Sequence, residues 1–428
     1  MNEIRMTKRS LLWFAALAAV FLVLNRAAYH GYFQDDDIAS LAWTRWGSFS
    51  AYLKGALTPI FADSFRAVGF YYYHVAERVF GLDFPKYVAV LHIFHLLNVW
   101  VLWLLMRQLG AAPLAAGAAC TFFALHMALF DAVWKPSFVF DLLCGTFCLI
   151  SILLWARGRW ILSFLSFWLA YKSKEPAVML PLVLVCYELW FGSRRWMRLA
   201  PFLAGSLALG LQALVLTPVR DEAYVFHFTP DALGRTAPFY AERVFLAPYL
   251  GFLLPIGAVS APNRRTWFGL AMMGLFFFPL LCLPGRVLNA YCYLPFTGLA
   301  VALAGMMETA SPAAIAIFLL LWLPVDLHWL RTQRNDTLRQ DQQAREWITT
   351  VGSFAKSRPE VTEFIYNQTP EEFHVWGIEG TVKYFYKSLD PTILPADSPE
   401  GMKLRQSGRA AVLEWDWYWH RLTIKPPE

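Results

Sequence analysis

The chain has 428 residues, of which 57% are hydrophobic, 17% aromatic and only 16% charged, with a formal net charge of +6. Soluble globular chains carry about 25% charged residues, so this composition excludes an ordinary water-soluble domain. The positive excess lies partly in short basic loops between apolar blocks; it makes no case for nucleic acid and is explained by membrane topology.

Residues 11–29 form the first apolar block, preceded by Arg5, Lys8 and Arg9. No small-residue cleavage site follows it, so the block reads as a retained span whose start is cytoplasmic. Further blocks run at 86–107, 111–130, 137–156, 159–171, 175–191, 199–217, 240–259, 266–283, 287–307 and 312–330, which predicts about eleven transmembrane helices. Lys and Arg then place the short loops at Arg107, Arg157 and Arg159, Arg194 to Arg198, and Arg264 and Arg265 on the inside. The acidic segment 35–37, the loop 218–239 and the tail fall outside. Block 159–171 is short and is expected to be tilted or partly re-entrant.

Between the first two spans, residues 30–85 are rich in Trp and Tyr, the composition of a segment lying at a membrane interface. The chain divides into a membrane part, 1–330, and a tail, 331–428. The tail reads as a polar helix over 332–356, a strand-like run at Glu363–Tyr366, an Asn-Gln-Thr-Pro turn and alternating stretches ending at Val412–Trp419. That predicts a small α/β domain, periplasmic on this topology. The fold class is therefore an all-α polytopic membrane protein with a small C-terminal α/β domain. All six cysteines lie in or beside the apolar blocks and read as buried apolar residues, with Cys144 and Cys148 at helical spacing the one exception.

Candidate chemistry begins at Gln34-Asp35-Asp36-Asp37. Three adjacent carboxylates repel one another, so at least one is expected to hold its proton more tightly than usual unless cations or a metal compensate. A solvated acidic loop ending the first span is the plain alternative; at a membrane rim, one carboxylate could instead serve as a general base. His92, His95 and Asn98 make a polar stripe along the second span, suited to hydrogen bonds between helices. His126 closes the third span, followed by Asp131 and Lys135 one helical turn apart. Lys172-Ser173-Lys174-Glu175-Pro176 is a charged knot against an apolar run, either a phosphate-binding pair of lysines or a helix start with Pro176 in its first turn. Arg243, Arg286, Asn289 and Tyr293 lie near the outer ends of later spans and together suggest a cationic pocket.

At these residues the sequence resembles the C-type glycosyltransferase superfamily, in particular bacterial membrane proteins related to protein O-mannosyltransferases and aminoarabinose transferases. The matching elements run in order over roughly residues 10–305. They are the acidic pair within Asp35-Asp36-Asp37, Arg66 before Phe80-Gly81-Leu82, His95 and Asn98, His126 to Val133, Ser173-Lys174-Glu175 with Pro181, and Tyr291-Cys292-Tyr293-Leu294-Pro295. Ala67 and Met127 stand where the family pattern has Pro, Asp131 where it has Glu, and Asn289-Ala290 where it has Glu-Arg. The resemblance implies inverting transfer of a sugar from a polyprenyl-phosphate donor at the periplasmic face of the bacterial inner membrane. Asp36, or its neighbour Asp35, would be the base, Asp37 a partner in the cluster. Lys172, Lys174, Arg243 and Arg286 would stabilise the leaving phosphate; His126, Asp131 and Glu175 would orient acceptor or phosphate, and Tyr293 would help to bind substrate. Partners implied are the lipid-linked sugar, the bilayer and a glycan, lipid or protein acceptor. No cofactor is required, and a divalent metal at the acidic cluster is left open.

Two other classes remain in view. A lipid-linked-sugar flippase would show internal repeat symmetry and charges at mid-span, of which the sequence has little. An oligosaccharide ligase or polymerase would carry a long outer loop rich in Arg and His between late spans, whereas here the long hydrophilic segment follows the last span.

Overall fold

The computed structural model describes residues 7–58, 66–211, 222–386 and 390–427. Arg5, part of the aromatic segment 30–85, the end of block 199–217 and the start of loop 218–239 lie outside the described residues.

The protein is mostly helical, with one small sheet near its C-terminus. Every apolar block of the sequence contains a helix, yet few are unbroken spans. Among the described residues three helices are long and apolar enough to cross a membrane: Phe84–Gln108, Pro136–Ala156 and Pro312–Ser357. The number rises to 5 if the pairs Pro113–Leu125 with Met127–Trp134, and Pro230–Phe245 with Leu250–Ser260, bent by 46° and 80°, each count as one span. The expected eleven crossings are therefore not reproduced as continuous helices. Hydropathy sums composition and is blind to continuity. The block at 240–259 is interrupted where Leu246 and Tyr249 take left-handed backbone conformations. The blocks at 175–191 and 287–307 each begin as a 3-10 turn, Glu175–Met179 and Asn289–Cys292, before becoming α-helical.

Within the bundle, packing follows membrane rules: small residues let backbones approach, and polar side chains bond across helices. A Cβ at Gly269 would meet the backbone of Ala302, and one at Gly298 the backbone of Met273, so Arg264–Leu281 and Tyr293–Met306 pack main chain against main chain. The polar stripe of the second span is used as its sequence suggests. Tyr293 Oη lies 3.0 Å from His95 Nδ1 and accepts from Asn98 Nδ2 at 2.9 Å, while Asn98 Nδ2 also donates to Leu142 O.

The aromatic segment after the first span forms helices Asp35–Trp46, Phe49–Leu57 and Ala67–Phe80. At the other end of the chain, the expected polar helix 332–356 is not separate. It continues the last apolar block as one helix of 46 residues, Pro312–Ser357, so the 330/331 division falls inside it.

The sheet follows, with strands β1 (Glu363–Asn367), β2 (Thr392–Pro395), β3 (Ala411–Asp416) and β4 (Arg421–Lys425) in the order β2-β1-β3-β4. β1 is parallel to β2 and β3, and β3 and β4 form an antiparallel hairpin. β1 begins just past the end of the long helix, and the loop after it returns along that helix. Glu371 N donates to Gln343 Oε1 at 3.0 Å, and the Glu371 carboxylate pairs with Arg339 at 3.3 Å. β1 and the parallel β3 thus run back towards the apolar end of Pro312–Ser357. Trp347, fully buried, stands between Phe373 and Trp415 with ring centroids at 5.9 and 6.3 Å. Such aromatic pairs are worth about 0.5–1.5 kcal/mol each beyond their burial and fasten the sheet to the helix.

Candidate active site

The triple aspartate is the first turn of helix Asp35–Trp46, where the positive end of the helix dipole favours carboxylates. Gln34 is the N-cap, and the Asp37 carboxylate accepts from Gln34 N at 2.9 Å in a capping box. Helical geometry then sends the three side chains apart. Asp37 turns inward and is wholly buried. Burial, with lesser contributions from Asp36 and Asp341, pushes its carboxyl up to about 8, although the amides of Gln34 and Ser137 oppose this. Asp37 therefore carries its proton at neutral pH. Asp35 points to the C-terminal sheet domain, where its Oδ2 lies 2.6 Å from His374 Nδ1, and the His374 ring stacks on Trp376. Asp36 remains exposed.

Asp36 lines a cavity of about 660 Å³ between helix Asp35–Trp46 and helix Val375–Phe385. Trp43, Phe70 and Trp376 supply aromatic walls, and Ser40, Glu379 and Lys383 supply polar groups. The two helices touch through glycine. A Cβ at Gly377 would meet Asp35 and one at Gly380 would meet Ala39, so larger residues there would push the sheet domain off the acidic helix. The apolar surroundings and then the Asp35 charge raise the Asp36 pKa above the usual carboxylate value, with Arg286 and His374 pulling the other way.

Arg286 links Asp36 to the cationic residues. Its Nε donates to Tyr291 Oη at 3.1 Å, and its guanidinium lies over the Tyr224 ring at 4.5 Å. Tyr224 is in electrostatic reach of Arg286, Tyr291, Arg66 and Asp36. On the far side of Tyr291, Lys174 Nζ sits 4.8 Å over that ring and 2.5 Å from Asp141 Oδ2, an ion pair with side chains only 7% and 8% exposed. Arg66 holds Glu175 through two bonds, Nε to Oε1 at 2.8 Å and Nη2 to Oε2 at 3.1 Å.

A chain of contacts thus runs from Asp36 to Arg286, from Arg286 to Tyr291, and from Tyr291 to Lys174 and the Arg66–Glu175 pair, with Asp35 beside Asp36 docked on His374. The other expected site residues lie elsewhere or are already engaged. Lys172 is buried, with Nζ 5.6 and 5.2 Å from the Trp168 and Tyr171 ring centroids, and burial pushes its ammonium down to about 8. Arg243 donates to Asn289 Oδ1 at 2.7 Å and pairs with Glu242 at 3.1 Å. Asp131 pairs with Lys135 at 3.3 Å. His126 is buried with both ring nitrogens occupied: Nδ1 accepts from Ala128 N, and Nε2 lies 3.1 Å from Val244 O. Tyr293 is buried in the His95–Asn98 network, so its hydroxyl serves packing rather than the cavity. The side chains of the three aspartates diverge, and among the described residues no three His, Cys, Asp or Glu side chains gather in one place.

His374, Trp376, Asp141 and Tyr291 were not singled out as site residues by sequence. Asp141 carried a usable signal, a lone carboxylate at the head of an apolar block. His374 carried none, since its partner lies 339 residues away.

The fold is similar to that of several solved C-type membrane glycosyltransferases. Neither a protein-family model nor a curated protein matches the sequence, so the likeness is one of structure. The aminoarabinose transferase ArnT from Cupriavidus metallidurans superposes over 97% of this chain and 98% of its own, with a TM-score of 0.55 at 12% identity. Its undecaprenyl-phosphate-bound form gives 0.54 at 13%. The mycobacterial arabinofuranosyltransferase AftD gives 0.54 at 15% identity over 91% of this chain, which spans only 32% of AftD. The oligosaccharyltransferase of Archaeoglobus fulgidus gives 0.55 at 10%, over 94% of this chain and 69% of its own.

Proposed function

We propose that the protein is an inverting glycosyltransferase that moves a sugar from a polyprenyl-phosphate donor to an acceptor hydroxyl at the periplasmic face of the bacterial inner membrane. On this reading the eleven apolar blocks cross or enter the bilayer, and the sheet domain caps the site. The observation that carries the proposal is Asp36: a cavity-facing carboxylate of raised pKa, with Arg286 in electrostatic reach and Tyr291 beyond it.

Asp36 takes the proton of the acceptor hydroxyl as its oxygen attacks the anomeric carbon from the face opposite the phosphate. The bond from that carbon to the phosphate oxygen breaks, and its electron pair leaves with polyprenyl phosphate. The leaving group needs no strong acid; it needs positive charge where negative charge grows, and Arg286 is the residue so placed. Lys174, which lies over the Tyr291 ring, and Arg66 each already hold a carboxylate, those of Asp141 and Glu175. The raised Asp36 pKa makes it a stronger base than an ordinary carboxylate. Asp35, held by His374, adds to that shift. ArnT, of like fold, holds undecaprenyl phosphate, which supports a lipid phosphate as the donor's carrier here.

The test is to incubate purified protein with a panel of polyprenyl-phosphate sugars and follow polyprenyl phosphate by mass spectrometry. Release that depends on added acceptor is expected. A folded protein that binds these lipids but releases none would contradict the proposal.

A further inference from the structure

The β3–β4 hairpin ends in three consecutive aromatic residues, and all three are in the open. Trp417, Tyr418 and Trp419 are 47%, 80% and 66% exposed. Contiguous apolar surface of this kind is uncommon on soluble domains unless something covers it. The turn is also rigid. Asp416 Oδ1 accepts from Tyr418 N at 2.8 Å and from Trp419 N at 3.0 Å, His420 closes the turn in the left-handed region, and the Tyr418 and Trp419 rings meet edge-on at 4.7 Å. The aromatics are therefore presented in a fixed arrangement, with little ordering left to be done on contact.

The direction of the hairpin identifies what it meets. β3 runs parallel to β1 and pairs Glu414 with Asn367, so the turn lies beyond the C-terminal end of β1. That end leads to Glu371, which is tied to Arg339 and Gln343 of the long helix. Arg339 stands nine residues past the apolar block 312–330, roughly 14 Å along an α-helix at 1.5 Å per residue. A headgroup layer adds about 5–8 Å to each side of the hydrocarbon, and a Trp side chain reaches several ångströms further. The aromatic turn thus hangs at the depth where Trp and Tyr gather in membrane proteins, ring towards the acyl boundary and polar edge towards water. Charge agrees with this. His420 and Arg421 flank the turn, and its one carboxylate, Asp416, is committed to the turn amides. A sugar-binding platform would need free polar side chains between the rings.

We propose that Trp417, Tyr418 and Trp419 dip into the headgroup layer of the bilayer and anchor the sheet domain to the surface from which it rises, with Arg421 favouring anionic phospholipid. The anchor makes a further hold on the domain, besides its attachment to the long helix through Trp347 and the seat of helix Val375–Phe385 on the acidic helix.

The test uses the full chain in anionic proteoliposomes, with a nitrobenzoxadiazole label on Tyr418→Cys or, separately, on Ser407→Cys. Ser407 is exposed in the turn leading into β3, at the opposite end of the sheet. Wild-type protein taken through the same labelling gives the background from native cysteines. Headgroup-nitroxide lipids are expected to quench the label at 418 several-fold more than that at 407, with a blue-shifted emission at 418 alone. Equal, solvent-like quenching at both positions overturns the proposal. So does a label at 418 shielded from aqueous iodide but untouched by lipid quenchers, which would assign the turn to a second copy or another protein.

Discussion

Two of the charged runs beside apolar helices in this chain are treated oppositely by the structure. Ser173-Lys174-Glu175 is neutralised pair by pair: Lys174 is sunk against Asp141, and Glu175 is gripped by Arg66. Gln34-Asp35-Asp36-Asp37 is split by helix geometry into a buried acid, a docked acid and one carboxylate open to a cavity. Charge density in a sequence therefore does not say which charge is available. Availability is set by partners that arrive from far along the chain.

The largest expected effect lies on the neutralised side. Lys174→Ala leaves Asp141 buried without its cation, and breaking such a pair costs about 3–5 kcal/mol. Loss of folded protein by size exclusion, largely restored in Lys174→Met with Asp141→Leu, is the expected result. A stable single variant would mean that the pair is not the buried lock described here.

Arg286→Ala tests the link between the two runs. It removes a cation in electrostatic reach of Asp36, and its effect is expected in turnover rather than folding. Loss of a donor aimed at developing negative charge typically lowers kcat on the order of 10²-fold. Arg243→Ala, which disrupts a pairing with Asn289 and Glu242 away from the cavity, is expected to cost less turnover. Equal losses would erase the distinction between them.

A pH-dependent effect separates Asp37 from Asp36. The Asp37 pKa is raised in the folded protein to about 8 against about 3.9 in an unfolded chain. The folded state therefore holds an extra proton between those values. Its stabilising effect is complete below the unfolded pKa and is lost as pH rises through the folded one. Thermal unfolding of the wild type should weaken, relative to Asp37→Asn, as pH is raised from about 4 to about 8. Parallel curves for the two proteins would show that Asp37 is not buried as a neutral acid.

Much of this fold was legible in the apolar blocks, because lipid exposure imposes composition directly on sequence. Each block contains a helix, and the C-terminal sheet was visible in runs such as Glu363–Tyr366. Continuity was not legible. The bend at Leu246 and the fusion of block 312–330 with the polar helix beyond it depend on backbone conformation that hydropathy does not encode. In the site, the acidic run stood out because three adjacent carboxylates are costly in any setting. Its resolution into three roles did not, since Asp35 is answered by His374 and Asp37 lies beside Asp341, both in the last quarter of the chain. Tyr293 and His126 show why a polar residue in a span is ambiguous in sequence: it needs a partner, and packing meets that need as readily as substrate does.

The most direct measurement is the pH dependence of polyprenyl phosphate release by wild-type protein beside Asp36→Asn. With Asp36 as base, wild-type turnover should climb with pH through a single ionisation above the ordinary carboxylate value. The Asn form, equally folded, should fall by about 10²–10⁴-fold and lose that limb. An Asn form that keeps both rate and pH profile would show that the proton leaves by another route and would contradict the account.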